Sequence, residues 1–371
     1  MTDGERIDAG PGWSIGVEEE FLLVDPDTGG TVPAAGRVLR AAGRLPAAAA
    51  DAALQPELLA TQVEAATGRC VTLAELRRQL LHNRRQLARG AGELLLVPSG
   101  VPVLAGTPEI SAGERFQLIA ERYAGVVAEY EACGCHVHVG VPDPEIAVGV
   151  VNHVRPWLPT LLALSVNSPV YHGIDTGYAS WRMVEQSRFP GSGVPPRFTS
   201  ARDYTTRVDR LVSAGALADP AQSFWLVRPS RRLPTVEFRV ADVSVDIDGA
   251  LLQAALSRAI VRTALADLAA GRPALEVDDQ VAAAAVWSAA RYGLDGPAVH
   301  PLHARRVPAA DLVAGLLDVV RPALVATGDL PVVERLVAGL VTGAARQRSA
   351  GAPTEVVKML ADSALYEGDP G

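Results

Sequence analysis

Lysine is almost missing from this chain of 371 residues: Lys358 is the only one, and arginine supplies nearly all the positive charge. A Schiff base or a lysine nucleophile is thereby confined to one position near the C-terminus. Cysteine is scarce too. Cys70, Cys133 and Cys135 are too few for a disulfide framework, and their number is odd. They read as reduced thiols of a cytoplasmic protein. Cys133-x-Cys135 has no second pair to complete a metal clip, so these residues read as small buried hydrophobes. No uncharged apolar run reaches the roughly eighteen residues of a membrane span. Met1 to Trp13 is polar and Gly-rich, without the apolar stretch of a secretory signal. Neither GxxxxGK[ST] nor a GxGxxG between a strand and a helix occurs, so no P-loop holds phosphate. The net charge of −8 argues against a nucleic-acid or anionic-membrane partner.

What is present is an ample core, with 49% apolar residues, enough for one large domain or two ordinary ones. Several stretches alternate with the period of a strand. In Gly134-Cys135-His136-Val137-His138-Val139-Gly140, the two histidines face one side and Cys135, Val137 and Val139 the other. In residues 13–24, Glu18 and Glu20 share a face, opposite Val17, Glu19, Phe21 and Leu23. An edge strand with its acids in water is one reading of that run, and a carboxylate pair aimed at cations is another. Residues 54–67 read as a strand pair or bulged strand. Glu57 and Glu64 are seven apart, so a bulge or turn must intervene if both reach one site. In Leu233 to Val240, Glu237 and Arg239 face one side and Val236, Phe238 and Val240 the other.

Helices are expected over 37–53, over 72–90 behind the capping box Thr72-x-x-Glu75, over 113–131 and over 145–167. The arginines of the 72–90 helix read as a solvated face. Residues 93–104 read as strand-like. Beyond residue 245 the chain reads as almost all helix, over 248–270, 278–292, 309–325, 331–347 and 354–366. Residues 168–235 carry nine arginines, more than their acids, inside an acidic chain. That segment reads as a loop-rich lid over an anionic ligand, or as a surface paired with acids elsewhere. The strands lack a regular βαβ rhythm, so the fold class is α+β with a largely antiparallel sheet.

Collected on one concave face, Glu18, Glu20, Glu57, Glu64, His136, His138, Glu237 and Arg239 make a set that suits Mg2+ or Mn2+. More carboxylates than one ion needs suggest two or three ions around a triphosphate. A metal-site carboxylate such as Glu237 is then repelled by its neighbours in the metal-free fold. A metal-dependent amide hydrolase using the HxH strand is an alternative, as is a non-catalytic binding homologue.

The chain resembles the type 2 glutamate–cysteine ligases, or carboxylate–amine ligases. The likeness rests on Gly16-Val17-Glu18-Glu19-Glu20, Glu57…Glu64, Cys133 to Gly140, Asn167-Ser168-Pro169, Asp175 to Ser180, Arg228-Pro229-Ser230…Thr235-Val236-Glu237-Phe238-Arg239, Ala290 to Leu294 and Arg346-Gln347-Arg348. It runs from about Trp13 to about residue 360. It implies a glutamine-synthetase-like catalytic fold that binds ATP with Mg2+ (or Mn2+) and joins a glutamate-like carboxylate to an amine. By this resemblance Glu18, Glu20, Glu57, Glu64, His136 and Glu237 are metal ligands. Arg239 and His138 are catalytic or substrate-contacting, and Arg182 and Arg228 bind ATP or substrate. Residues 1–12 would be a flexible lead-in and 13–371 one catalytic domain, with 245–371 helical and packed on the sheet. A homodimer is compatible with it. One departure is Leu226, where many relatives carry an acid, which bears on the amine substrate.

Overall fold

The computed structural model describes residues 10–366. Its main sheet has seven strands: β1 (Ile15–Val24), β2 (Ala53–Pro56), β3 (Gln62–Ala66), β4 (Leu95–Val97), β5 (Gly134–Gly140), then β8 (Val227–Pro229) and β9 (Thr235–Asp242). Two short hairpins lie outside it, β6 (Val170–Tyr171) with β7 (Ile174–Asp175), and β10 (Pro297–His300) with β11 (Arg305–Pro308). The sheet order is β2-β3-β1-β5-β9-β8, with β4 also paired to β1, and each pairing is antiparallel.

The alternation read from sequence sets the two faces. Val17, Val137, Val139, Val236 and Phe238 point into the larger core, with the long helix Ile247–Ala269 and helices Pro144–Val154 and Leu158–Ser165. The long helix is buried on nearly every side, as its apolar sequence requires. All three cysteines are free and buried, as small hydrophobes.

Glu19 lies on this apolar face, and its partner comes from an unexpected place. Arg84 donates to Glu19 through Nε (3.0 Å) and Nη2 (2.5 Å). It also donates to the carbonyls of Ser244, Val245 and Ala364. The arginine is 0% exposed. The reading of the 72–90 arginines as a solvated face is therefore wrong for Arg84, which is the buried counter-charge that lets three acids sit in one strand.

The capping box holds: Thr72 accepts from the Glu75 N–H, and Glu75 accepts from the Val71 N–H. Several helices are shorter than expected. The first ends at Ala42, ahead of Pro46, and the 113–131 helix stops at Tyr123. The 145–167 stretch breaks into two helices at a 3-10 turn holding Pro156. The 331–347 stretch divides at Gly339, giving Leu330–Ala338 and Gly343–Ala350. Residues 93–104 contribute only the three-residue β4. The arginine-rich 168–235 segment contains two helices, Trp181–Ser187 and Ala201–Ser213, besides β6, β7 and β8. Of the expected flexible lead-in, residues 1–9 lie outside the described residues, and the Gly12 N–H donates to the Gly140 carbonyl at 2.7 Å.

Candidate functional site

The register brings the polar residues onto one face. Glu18 stands opposite His136, Glu20 opposite Glu64, and His138 opposite Glu237, which in turn stands opposite Arg228. Glu57 follows the end of β2, and the Leu58–Thr61 turn carries the chain into β3. That is the break needed to bring Glu57 and Glu64 together. Between β5 and β9 the register shifts, three steps on β9 matching two on β5. Arg239 sits at this irregularity, with Nη1 3.4 Å from His136 Nδ1. These side chains line a cavity of about 1190 Å3, room for more than one small ligand.

Glu18 binds both histidines, with Oε2 3.4 Å from His136 Nδ1 and Oε1 3.2 Å from His138 Nε2. Burial works against its ionisation, but the hydrogen bonds and charges of the two histidines hold it well below the usual carboxylate range. Glu20 accepts from the Gly134 N–H at 2.5 Å and has Oε1 3.7 Å from His136 Nε2. Burial pushes its carboxyl up, and Arg182 and Arg239 oppose the rise. Glu57 is pushed up to about 7 by burial and by Glu20. Glu64 rises well above the ordinary range through burial and the charges of Glu18, Glu57 and Glu20. The ring of His136 is held down to about 4 by burial and Arg239, so it is neutral and free to ligate near neutral pH. His138 is raised, because Glu18 and Glu237 outweigh burial, and its Nδ1 is 2.9 Å from Thr235 Oγ1.

Glu237 departs from the sequence reading. It is not chiefly repelled by acids. Arg228 grips it in bidentate fashion (Nε 2.8 Å, Nη2 3.1 Å), and Arg239 Nη1 donates to it at 2.5 Å. Burial disfavours its charge, yet Arg228, Arg239 and His138 hold its carboxyl well below the ordinary range. Four of the five Arg228 N–H donors are engaged within the protein, since Nη1 goes to the Ala221 and Ser223 carbonyls, at 2.7 and 2.6 Å. Arg182 differs. It is 3% exposed, donates through Nη2 to the Arg239 carbonyl at 3.2 Å, and has no hydrogen bond at Nε or Nη1.

Two groups can each offer three ligand atoms within 4.8 Å of one another: Glu18, His136 and Glu237, and Glu20, Glu64 and His136. His136 joins the two. The chemistry of the donors fits hard divalent ions. Carboxylates whose ionisation is suppressed by mutual repulsion are relieved by a cation, and His136 Nε2 is buried without a hydrogen bond. The histidines outside the HxH strand do not join them. His153 faces Asp267 at 3.8 Å, the His300 and His303 rings lie tilted against each other with centroids 4.2 Å apart, and His172 stacks on Tyr171. A barrel of the amide-hydrolase kind is excluded by the antiparallel sheet.

Sequence reasoning passed over Asp242. It is 0% exposed and accepts from the Asn167 N–H (2.9 Å), Ser168 Oγ (2.7 Å) and Ser180 Oγ (2.8 Å), with Arg182 Nη1 at 3.8 Å. It anchors the start of the helix that carries Arg182. The register shift in β9 hides it from period-two reading. Leu226 is fully buried in the core and is not among the residues that line the cavity.

Residues 14–353 match the model of glutamate–cysteine ligase family 2. A Saccharopolyspora erythraea protein named "Putative glutamate--cysteine ligase 2-2" is 58% identical over 360 residues, covering 94% of this chain and 92% of its own. A Mycolicibacterium vanbaalenii protein of the same name is 44% identical, with 91% and 93% covered. Among solved structures, a glutamate–cysteine ligase from Francisella tularensis in complex with AMP superposes with a TM-score of 0.70 at 13% identity, covering 95% of this chain and 89% of that one. A bifunctional glutathione synthetase from Pasteurella multocida gives 0.65 at 16% identity, with 94% and 52% covered. The two structures share the fold, and the sequence match settles the family: this chain belongs to glutamate–cysteine ligase family 2.

Proposed function

We propose that the protein is an ATP-dependent carboxylate–amine ligase with a glutamine-synthetase-like catalytic fold, which joins a glutamate-like acid to an amine and releases ADP and phosphate. One observation carries the reading: Glu18, Glu20, Glu64, Glu237 and His136 form two metal-capable groups that share His136, in a cavity that Glu57 also lines and in a chain without a P-loop. The AMP bound by the Francisella tularensis neighbour supports a nucleotide as one occupant.

Glu20, Glu64 and His136, with Glu57 beside them, would hold one divalent ion; Glu18 and Glu237 would carry a second, because a neutral imidazole has one lone pair and serves one ion at a time. Bound there, Mg2+ or Mn2+ supplies charge neutralisation for a triphosphate and an in-line arrangement of the transferred phosphoryl group. The substrate carboxylate attacks the γ-phosphorus and ADP leaves. The amine then attacks the acyl carbon, phosphate leaves, and the nitrogen gives up a proton. Arg239 is placed to grip the phosphoryl oxygens, because its fork reaches Glu237 and still borders the cavity. His138, on the same face, is placed to touch phosphate or substrate. Arg228 acts through Glu237, holding that carboxylate ionised and oriented.

Phosphate release from MgATP, measured with glutamate across a panel of amines, tests the reading. Release that needs acid, amine and divalent ion together is expected. Hydrolysis of amides without ATP would favour a hydrolase, and inertness with every pair would favour a binding homologue.

A further inference from the structure

The cavity changes character along the sheet. Near the start of β9, Ser230 and the exposed Arg231 and Arg232 line it, with Gly16 and Gly140 on facing strands. Past Arg239 and Arg182, at the other end of the strands, its lining becomes Leu58, Phe116, Ile119, Tyr130, Phe189 and Phe224. Phe189 stacks on Phe224 with ring centroids 4.4 Å apart, and Tyr130 meets Phe189 edge-on at 4.6 Å. Phe189 is buried, whereas Leu58, Phe116, Tyr130 and Phe224 leave part of their surface open. Holding metal and phosphate calls for no such apolar wall. The groups bordering it carry both signs. Glu57 precedes Leu58, and Glu20 and the almost wholly buried Arg182 guanidinium line the same end. The phenol of Tyr130, raised first by burial, is close enough to feel Arg182 and Glu20.

We propose that this aromatic end is the acceptor side-chain pocket, and that the acceptor is an α-amino acid with a large apolar side chain. The proposal rests on the ligase reading above. The arginines at the opposite end suit a polyphosphate, which leaves the aromatic end for the non-nucleotide substrates. An amino acid seated there has its carboxylate toward Arg182, its amine toward the metal and phosphate end of the cavity, and its side chain on the rings. A small polar side chain would leave the wall uncovered.

Calorimetric titration of phenylalanine and of alanine into the full chain with Mg2+, both with and without a non-hydrolysable ATP analogue, tests this without turnover. The two probes share a head group, so their difference reads the side chain alone. Phenylalanine is expected to bind about 10-fold or more tightly than alanine. Phe116→Ala and the gentler Phe224→Leu should each weaken phenylalanine several-fold and leave alanine unchanged. Equal affinities, tighter binding of alanine, no binding of either probe, or indifference to both variants would overturn the proposal. Phosphate release with cysteine but no preference for phenylalanine would sink this inference and leave the ligase reading intact. Tight phenylalanine binding with no phosphate release from any pair would sink the ligase reading and with it the acceptor role, leaving only an apolar amino-acid pocket.

Discussion

Divalent ions should change the stability of this protein in a way that depends on pH, and the carboxylate cluster fixes the sign. Glu57 is pushed from 4.5 up to about 7, and Glu64 rises as well. A group whose pKa rises on folding contributes fully below its unfolded value and loses that contribution as pH climbs through its folded value. Metal-free protein should therefore lose stability between about pH 4.5 and pH 7. For Glu57 the loss is on the order of 2 kcal/mol, reduced from the full shift by its partial contact with water. A cation reverses the sign, because it needs the carboxylates ionised. Mg2+ at about 100 times its dissociation constant adds about 2.7 kcal/mol, near 3 °C in Tm for a chain of this length. Scanning calorimetry at pH 6 and pH 8, with EDTA and then with excess Mg2+, reads both effects. The expected result is a larger Mg2+ shift at pH 8, with Glu57→Gln flattening the EDTA difference. A Mg2+ shift as large at pH 6, or none at either pH, would refute the electrostatic account of the cluster.

Glu237→Gln should abolish turnover and also lower Tm, since it takes the shared counter-charge from Arg228 and Arg239, a loss of about 3–5 kcal/mol for a broken buried pair; an unchanged Tm in EDTA would show that the clamp is weak. Arg239→Lys keeps the charge and loses the fork, so kcat should fall on the order of 100-fold with little change in KM for ATP; near-normal kcat in steady-state assays would leave Arg239 a purely structural partner. Arg84→Met strands Glu19 in the core and should cost about 3–5 kcal/mol by urea denaturation, part of it recovered in the double variant with Glu19→Gln; a neutral single variant would show that Glu19 is accommodated without its charge.

The polar face of the sheet was legible because strand alternation is local. His136 and His138, Glu18 and Glu20, and Glu237 each declare their side by their apolar neighbours, and the structure puts all of them on one face. The long C-terminal helices were legible from the Gly and Pro that separate most of them; the structure adds Asp246 and Asp278 as caps, accepting from N–H groups of the first turns. What escaped was set by distant parts of the chain. Nothing near Arg84 shows that its guanidinium will meet Glu19, 65 residues away. Asp242 is hidden by the register shift beside Arg239. The two-arginine clamp on Glu237 depends on β8 pairing with β9, and β8 is only three residues long. Helix lengths were overestimated where Pro156 and Gly339 interrupt apolar stretches whose periodicity continues across them.

The central claim is that a substrate carboxylate is phosphorylated by ATP on this sheet face before the amine arrives. Turnover with glutamate carrying heavy oxygen in its side-chain carboxylate, followed by mass spectrometry of the nucleotide and phosphate products, tests it directly. The account predicts one heavy oxygen in the released phosphate, with ADP unlabelled. Heavy oxygen in AMP, with pyrophosphate as the other product, would show adenylation instead and contradict it.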